Sequence, residues 1–111
     1  MTKKPLQCAT LLNRVFKKME LIDIGCNLTH DSFDADRGEV IAAAQQAGVV
    51  QMIVTGASAE GSKAALRLAG EWPGQLFATA GVHPHHASDY DNDTDQLLRE
   101  LAVQNSVVAV G

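Results

Sequence analysis

Three of the four histidines fall in one short run, His83-Pro84-His85-His86. An imidazole can ligate a metal, shuttle a proton, or donate a hydrogen bond to an anionic oxygen. Pro84 biases His83 toward extended backbone, and in an extended segment His83 and His85 point the same way. A solvated polar loop would account for the same run with no chemistry at all. Asp23 is the next candidate, as a carboxylate that holds a metal, orients a neighbour, or caps loop amides. Asn27 offers both an acceptor and a donor to a substrate, though asparagine is also a common turn residue. Gly25 leaves backbone room, and Gly56 near a helix start could turn amides toward a phosphate. His30 reads as a loop residue.

The elements around these residues decide which of them matter. Leu21-Ile22-Asp23-Ile24 reads as a first strand, with Gly25 to Asp34 as its loop. Asp36 followed by Glu39 makes a capping-box helix start. Val40, Ile41, Ala44 and Ala47 line one face of that helix, and Gly48 stops it. Val49 to Val54 is a nearly continuous apolar strand, the pattern of a buried parallel strand. After Thr55 to Ser58 comes a second helix with Ala65, Leu68, Ala69 and Trp72 inside, ended by Pro73-Gly74. On that stripe Trp72 reads as core and not as a base-stacking platform. Leu76 to Ala80 is strand three, Gly81 to Asn92 a polar loop, and Asp93 with Gln96 a second capping box. Thr94, Leu97, Leu98, Leu101 and Ala102 form the third helical stripe, and Val107 to Val110 strand four.

Strands alternating with helical stretches predict βαβ units and a parallel sheet. In such folds functional groups gather where the strands end, at their C-terminal tips. That rule selects Asp23 to Asn27, Thr55 and Gly56, and Gly81 to His86. It favours a role for His83 and leaves His85 and His86 as solvated loop residues.

The bulk properties are those of a globular chain of 111 residues, 46% hydrophobic and 20% charged. No apolar run approaches the roughly 18 residues of a membrane span, and no export signal opens the chain. A cytoplasmic protein without membrane contact is expected, with Cys8 and Cys26 as reduced thiols. Charge is unevenly spread. Residues 1–18 carry five basic groups and no acid, while the rest carries four basic and thirteen acidic groups, a formal −9. That acidic body is no electrostatic footprint for nucleic acid, so a polyanionic substrate would need a bound divalent metal or a local cluster. Within 1–18, Cys8, Leu11, Leu12, Val15 and Phe16 recur at helical spacing. This basic amphipathic extension reads as a membrane-surface or targeting helix, an added helix packed on the body, or a misassigned start before Met19.

Leu21 to Thr29, the Val54-Thr55-Gly56 strand end and Ala80-Gly81-Val82-His83-Pro84-His85 together resemble the TatD family of metal-dependent deoxyribonucleases. The resemblance covers residues 19–111, and Val107 to Gly111 looks like the approach to the family's Gly-Glu motif. It implies a TIM-barrel, amidohydrolase-like fold that cleaves DNA phosphodiesters from the 3′ end with a divalent metal such as Mg²⁺. It also implies that His83 faces the scissile phosphate as the catalytic and substrate-binding imidazole. Asn27 would bind substrate and Asp23 the metal. Gly25 and Asn27 stand where many relatives carry metal-binding histidines, so the principal ligands are not expected within this chain.

The fold expectation is therefore an α/β partial barrel of about four parallel strands and three intervening helices, with an N-terminal extension. A TIM barrel takes about 250 residues to close, so 19–111 is expected to be the N-terminal half of one, from a truncated or split coding sequence. DNA is the expected partner, together with self-association or a complementary barrel half. The alternative is a non-catalytic remnant or assembly module.

Overall fold

In the computed structural model, residues 19–111 are described, so the readings of the 1–18 extension lie outside the described residues. Strand β1 (Leu21–Cys26) is followed by a single turn of 3-10 helix (Asp31–Phe33) and helix α1 (Arg37–Gln46). Strand β2 (Val49–Val54), helix α2 (Ala59–Glu71) and strand β3 (Leu76–Ala80) come next. A longer 3-10 segment (Pro84–Asp89), helix α3 (Asn92–Ala102) and strand β4 (Val107–Val110) complete the chain.

The strands pair in parallel in the order β1-β2-β3-β4. Parallel neighbours need crossovers, and crossovers are right-handed, so consecutive steps in one direction put every helix on the same face. Here α1 packs on β2, α2 on β3, and α3 on β3 and β4. This is the barrel-type arrangement that the βα alternation predicts. Met52, Val54, Leu76, Ala78 and Ala80 meet Ile41, Ala65, Leu68, Ala69, Leu98 and Leu101 to form the core.

Burial alternates along β3, with Leu76, Ala78 and Ala80 buried and Phe77 and Thr79 only partly covered. Strand β2 behaves the same way, although its apolar run reads as buried on both faces. The opposite face has no helix on it among the described residues. On it Ile22, Ile24 and Val108 are 54%, 81% and 50% exposed, whereas Val110, in register with the buried Ala80, lies on the helix side. Among the described residues no helix is long and apolar enough to cross a membrane.

Local signals hold with three corrections. Gly48 ends α1 at φ 105, a backbone region that side chains disfavour. Strand β1 runs two residues beyond its apolar stretch, through Gly25 and Cys26, because Thr55 N–H reaches the Cys26 carbonyl at 2.9 Å. The Asp36 capping box does not form, since the Asp36 side chain makes no cap bond. Arg37 instead ties the helix start to the β1 loop, donating to the carbonyls of Leu28 and His30 and to Asp34. Helix α3 starts earlier than Asp93. Asp91 is its cap and accepts from the Thr94 N–H at 2.8 Å and the Thr94 hydroxyl at 2.9 Å.

Ile41 is fully buried and Ile24 is the most exposed isoleucine of the sheet, which gives a paired test. Ile41→Ala should lower unfolding stability by about 2–5 kcal/mol, and Ile24→Ala by less than about 0.5 kcal/mol, in urea titrations. Equal losses would mean that the open face is covered in solution.

The Thr94 hydrogen bonds hold the Asp91 carboxyl below the usual carboxylate range. A depressed folded value means the cap contributes above the unfolded carboxyl pKa of about 3.9 and is lost as pH falls through the folded value. The stability gap between the natural chain and Asp91→Ala should therefore be flat near neutrality and close below about pH 4. A gap that persists unchanged in acid would remove the charge from the cap.

Candidate functional site

The C-terminal tips of the four strands are tied to one another by backbone bonds. Thr55 N–H donates to the Cys26 carbonyl at 2.9 Å, His83 N–H to Ala57 at 2.8 Å, and Gly111 N–H to Ala80 at 3.0 Å. Between them lies a crevice of about 160 Å³ lined by Thr55, Gly56, Ala57, Val82, His83, Pro84 and Gly111. Every lining residue follows a strand end, as expected of an open parallel sheet. A larger cavity of about 300 Å³, lined by residues such as Arg37, Arg67 and Glu71, sits against α1 and α2 and does not include His83.

His83 is exposed and takes φ −63 and ψ 145, the extended geometry that a following proline imposes. The chain does not stay extended beyond it. Pro84 opens the 3-10 segment, because its fixed φ and missing N–H suit a first helical position. The His85 N–H then turns back onto His83 Nδ1 at 3.0 Å. Strand alternation therefore does not bring His83 and His85 together. The turn does, with ring centroids 4.5 Å apart and edge-to-face.

That hydrogen bond has a chemical consequence. A ring nitrogen that accepts carries no proton, so the neutral His83 ring holds its hydrogen on Nε2. Nε2–H is the donor that an anionic substrate oxygen requires. His86 stands 3.7 Å from Asp89 on the exposed side of the same turn, a solvated arrangement. His30 repeats the local motif of His83: it caps the Asp31–Phe33 turn, and its Nδ1 accepts from the Ser32 N–H at 3.1 Å.

The first-strand candidates sit apart from this crevice. Asp23 pairs across the sheet with Met52, and its carboxylate accepts from the Gly25 N–H at 3.0 Å, bracing an irregular stretch of β1. Asn27 is exposed in the loop, and its carbonyl accepts from the His30 N–H. Neither lines the crevice around His83. Cys26 is a free thiol that donates to the Ile53 carbonyl at 3.4 Å, and burial pushes it up, with Asp23 adding to the effect. Such a thiol is a poor nucleophile at neutral pH. Trp72 packs on the core, as its stripe predicts.

Gly56 does not present its amide to a ligand. Its N–H donates to the Thr79 hydroxyl at 3.1 Å, and a Cβ there would strike the Thr79 carbonyl and Ser62. Its role is close approach of β2's end to β3 and α2. Sequence reading passes over Thr79 and Ser62 entirely. The one available signal is Ser62 itself, a polar residue three and seven positions before the buried Ala65 and Ala69.

The described residues do not by themselves fit a divalent-metal centre. Among them no three His, Cys, Asp or Glu side chains converge, and one Asp23 oxygen is engaged by Gly25.

A family model described as TatD related DNase matches residues 22–111. A curated relative, the 3′-5′ ssDNA/RNA exonuclease TatD of Dickeya dadantii (strain 3937), is 46% identical over 91 residues, covering 82% of this chain and 34% of the relative. The protein of the same name from Pantoea sp. (strain At-9b) is 50% identical over 92 residues, covering 82% and 35%. Among solved structures, a hydrolase TatD family protein from Entamoeba histolytica superposes with a TM-score of 0.72 at 28% identity, over 84% of this chain and 36% of that one. The chain spans about a third of the length of the relatives it matches. The family match reaches from β1 to the last residue of the crevice, and the chain belongs to the TatD related DNase family.

Proposed function

We propose that this chain forms the His83-bearing portion of a metal-dependent 3′–5′ exonuclease acting on single-stranded DNA and, as the relatives' name suggests, RNA. The observation that carries the reading is His83 at the strand-end crevice, with Nδ1 occupied by the His85 N–H and Nε2–H left to donate. The reaction is hydrolysis of a phosphodiester: water adds to phosphorus and the ester oxygen leaves. His83 binds and orients a non-bridging phosphate oxygen, where a preorganised donor is worth more as charge develops in the transition state. Asn27, just past β1, is proposed as a further substrate contact and Asp23, within β1, as a metal contact. Mg²⁺ is the ion proposed, with its principal ligands outside residues 19–111. The cytoplasm is the proposed location.

A chimera tests this directly. The chain would be fused in frame to the remaining two thirds of the Pantoea exonuclease, of which it covers 35%. The fusion should shorten 5′-labelled single-stranded DNA from its 3′ end with Mg²⁺, and EDTA should stop it. His83→Ala should lower the rate by about a hundredfold. A folded chimera without cleavage would sink the nuclease reading, and unchanged rates in His83→Ala would remove the assigned role. The 111-residue chain alone should leave the DNA intact.

A second reading, an assembly module, is favoured by the exposed Ile22, Ile24 and Val108 on the helix-free face and by the sheet edges at β1 and β4, unpaired among the described residues. Covering these half-exposed side chains would contribute about 1 kcal/mol each, against about 4 kcal/mol or more for association. Edge-strand pairing would have to supply the surplus. Light scattering of the purified chain should then show dimers or larger species; a monodisperse monomer would contradict this reading.

A further inference from the structure

We propose that Ser62 is a positioning residue for the His83 imidazole, acting through the backbone of Gly81. The inference rests on the reading of His83 as the phosphate-facing group. Ser62 is 1% exposed, in the first turn of α2, and its side chain makes two bonds to one residue. Its Oγ accepts from the Gly81 N–H at 3.1 Å and donates to the Gly81 carbonyl at 3.1 Å. Gly81 is buried just past the end of β3. Without Ser62 its amide and carbonyl would be buried polar groups in need of other partners, at a cost that proteins rarely accept.

Two residues further on, the His83 N–H donates to the Ala57 carbonyl at 2.8 Å. Residues 81 and 83 are thus both fastened to the segment that leads from β2 into α2. Gly56 sets how close that segment lies: a Cβ there would come within 2.9 Å of the Ser62 Cα. A hydroxyl on a single carbon fits this gap and serves both Gly81 groups at once. With the backbone held on both sides of Val82, the ring of His83 meets the His85 N–H through Nδ1 and keeps its hydrogen on Nε2. Ser62 touches no substrate. It holds the loop in which Nδ1 meets the His85 N–H, and so sets where Nε2 donates.

The test uses the full 111-residue chain and reads the His83 ring by long-range proton–nitrogen NMR. The natural chain should show one dominant neutral tautomer with the hydrogen on Nε2, and a Gly81 amide that exchanges far more slowly than in an unstructured peptide. Ser62→Ala should mix the two tautomers, accelerate Gly81 exchange, and weaken the apparent affinity of inorganic phosphate at His83 by about tenfold. Ser62→Cys, which keeps the shape and a weak donor, should fall between them. A merely structural serine would lower stability and leave the tautomer unmoved, so a folded Ser62→Ala with an unchanged His83 ring overturns the proposal. Should Ser62→Ala fail to fold, the natural chain and Ser62→Cys decide. Unprotected Gly81 in the first, or an unchanged ring with faster Gly81 exchange in the second, overturns it equally. If phosphate leaves the natural His83 signals unmoved, the phosphate reading fails while the tautomer shift still tests the positioning role.

Discussion

Right-handed crossover between parallel neighbours is the constraint from which the rest of this structure follows. A strand order of β1-β2-β3-β4 with that handedness leaves one face for all three helices of the sheet layer. It also sends every strand tip to one rim, because all the strands run in the same direction. The core and the crevice are two results of the same geometry. Met52, Val54, Leu76, Ala78 and Ala80 are buried because the helices lie on their side, and Thr55, His83 and Gly111 meet because their strands end together.

The rim is held by short-range polar bonds more than by apolar packing. Thr55 to Cys26, Gly56 to Thr79, His83 to Ala57, and Ser62 to Gly81 form a continuous set of ties around the crevice. Each satisfies a backbone group that has just left the sheet ladder, which is where unsatisfied groups would otherwise accumulate. Stability and site geometry are therefore served by the same bonds. A hydroxyl chosen to satisfy Gly81 also determines how the imidazole two residues later is presented.

The open face has the opposite character. Ile22, Ile24 and Val108 face away from the helices with nothing described against them, on a sheet whose two edges are also unpaired among the described residues. Apolar groups in this density on a sheet face are the interior of a barrel once more strands close it, and the chain spans about a third of its relatives' length.

Much of this was readable from residue order alone. Apolar periodicity located the four strands and the three α-helices, because a period of two or of 3.6 is a local property of the chain, while the 3-10 segments Asp31–Phe33 and Pro84–Asp89 read as loop. The Gly48 stop, the pre-proline geometry of His83 and the core role of Trp72 were legible for the same reason. Both capping boxes were not. The Arg37 contacts and the Asp91–Thr94 bonds compete with the Asp36 and Asp93 patterns, and local spacing cannot rank such competitors. Residue identity determined that a histidine would stand at a strand tip and that its backbone would be extended. The bond from His85 to His83 Nδ1 is a two-residue contact of the kind His30 makes with Ser32, so the hydrogen on Nε2 is a local outcome. Tertiary structure alone decided that Ser62, 19 positions away from Gly81, would grip the loop. That outcome depends on how closely α2 approaches β3, a distance set by packing and by the missing side chain of Gly56, and no spacing along the chain encodes it.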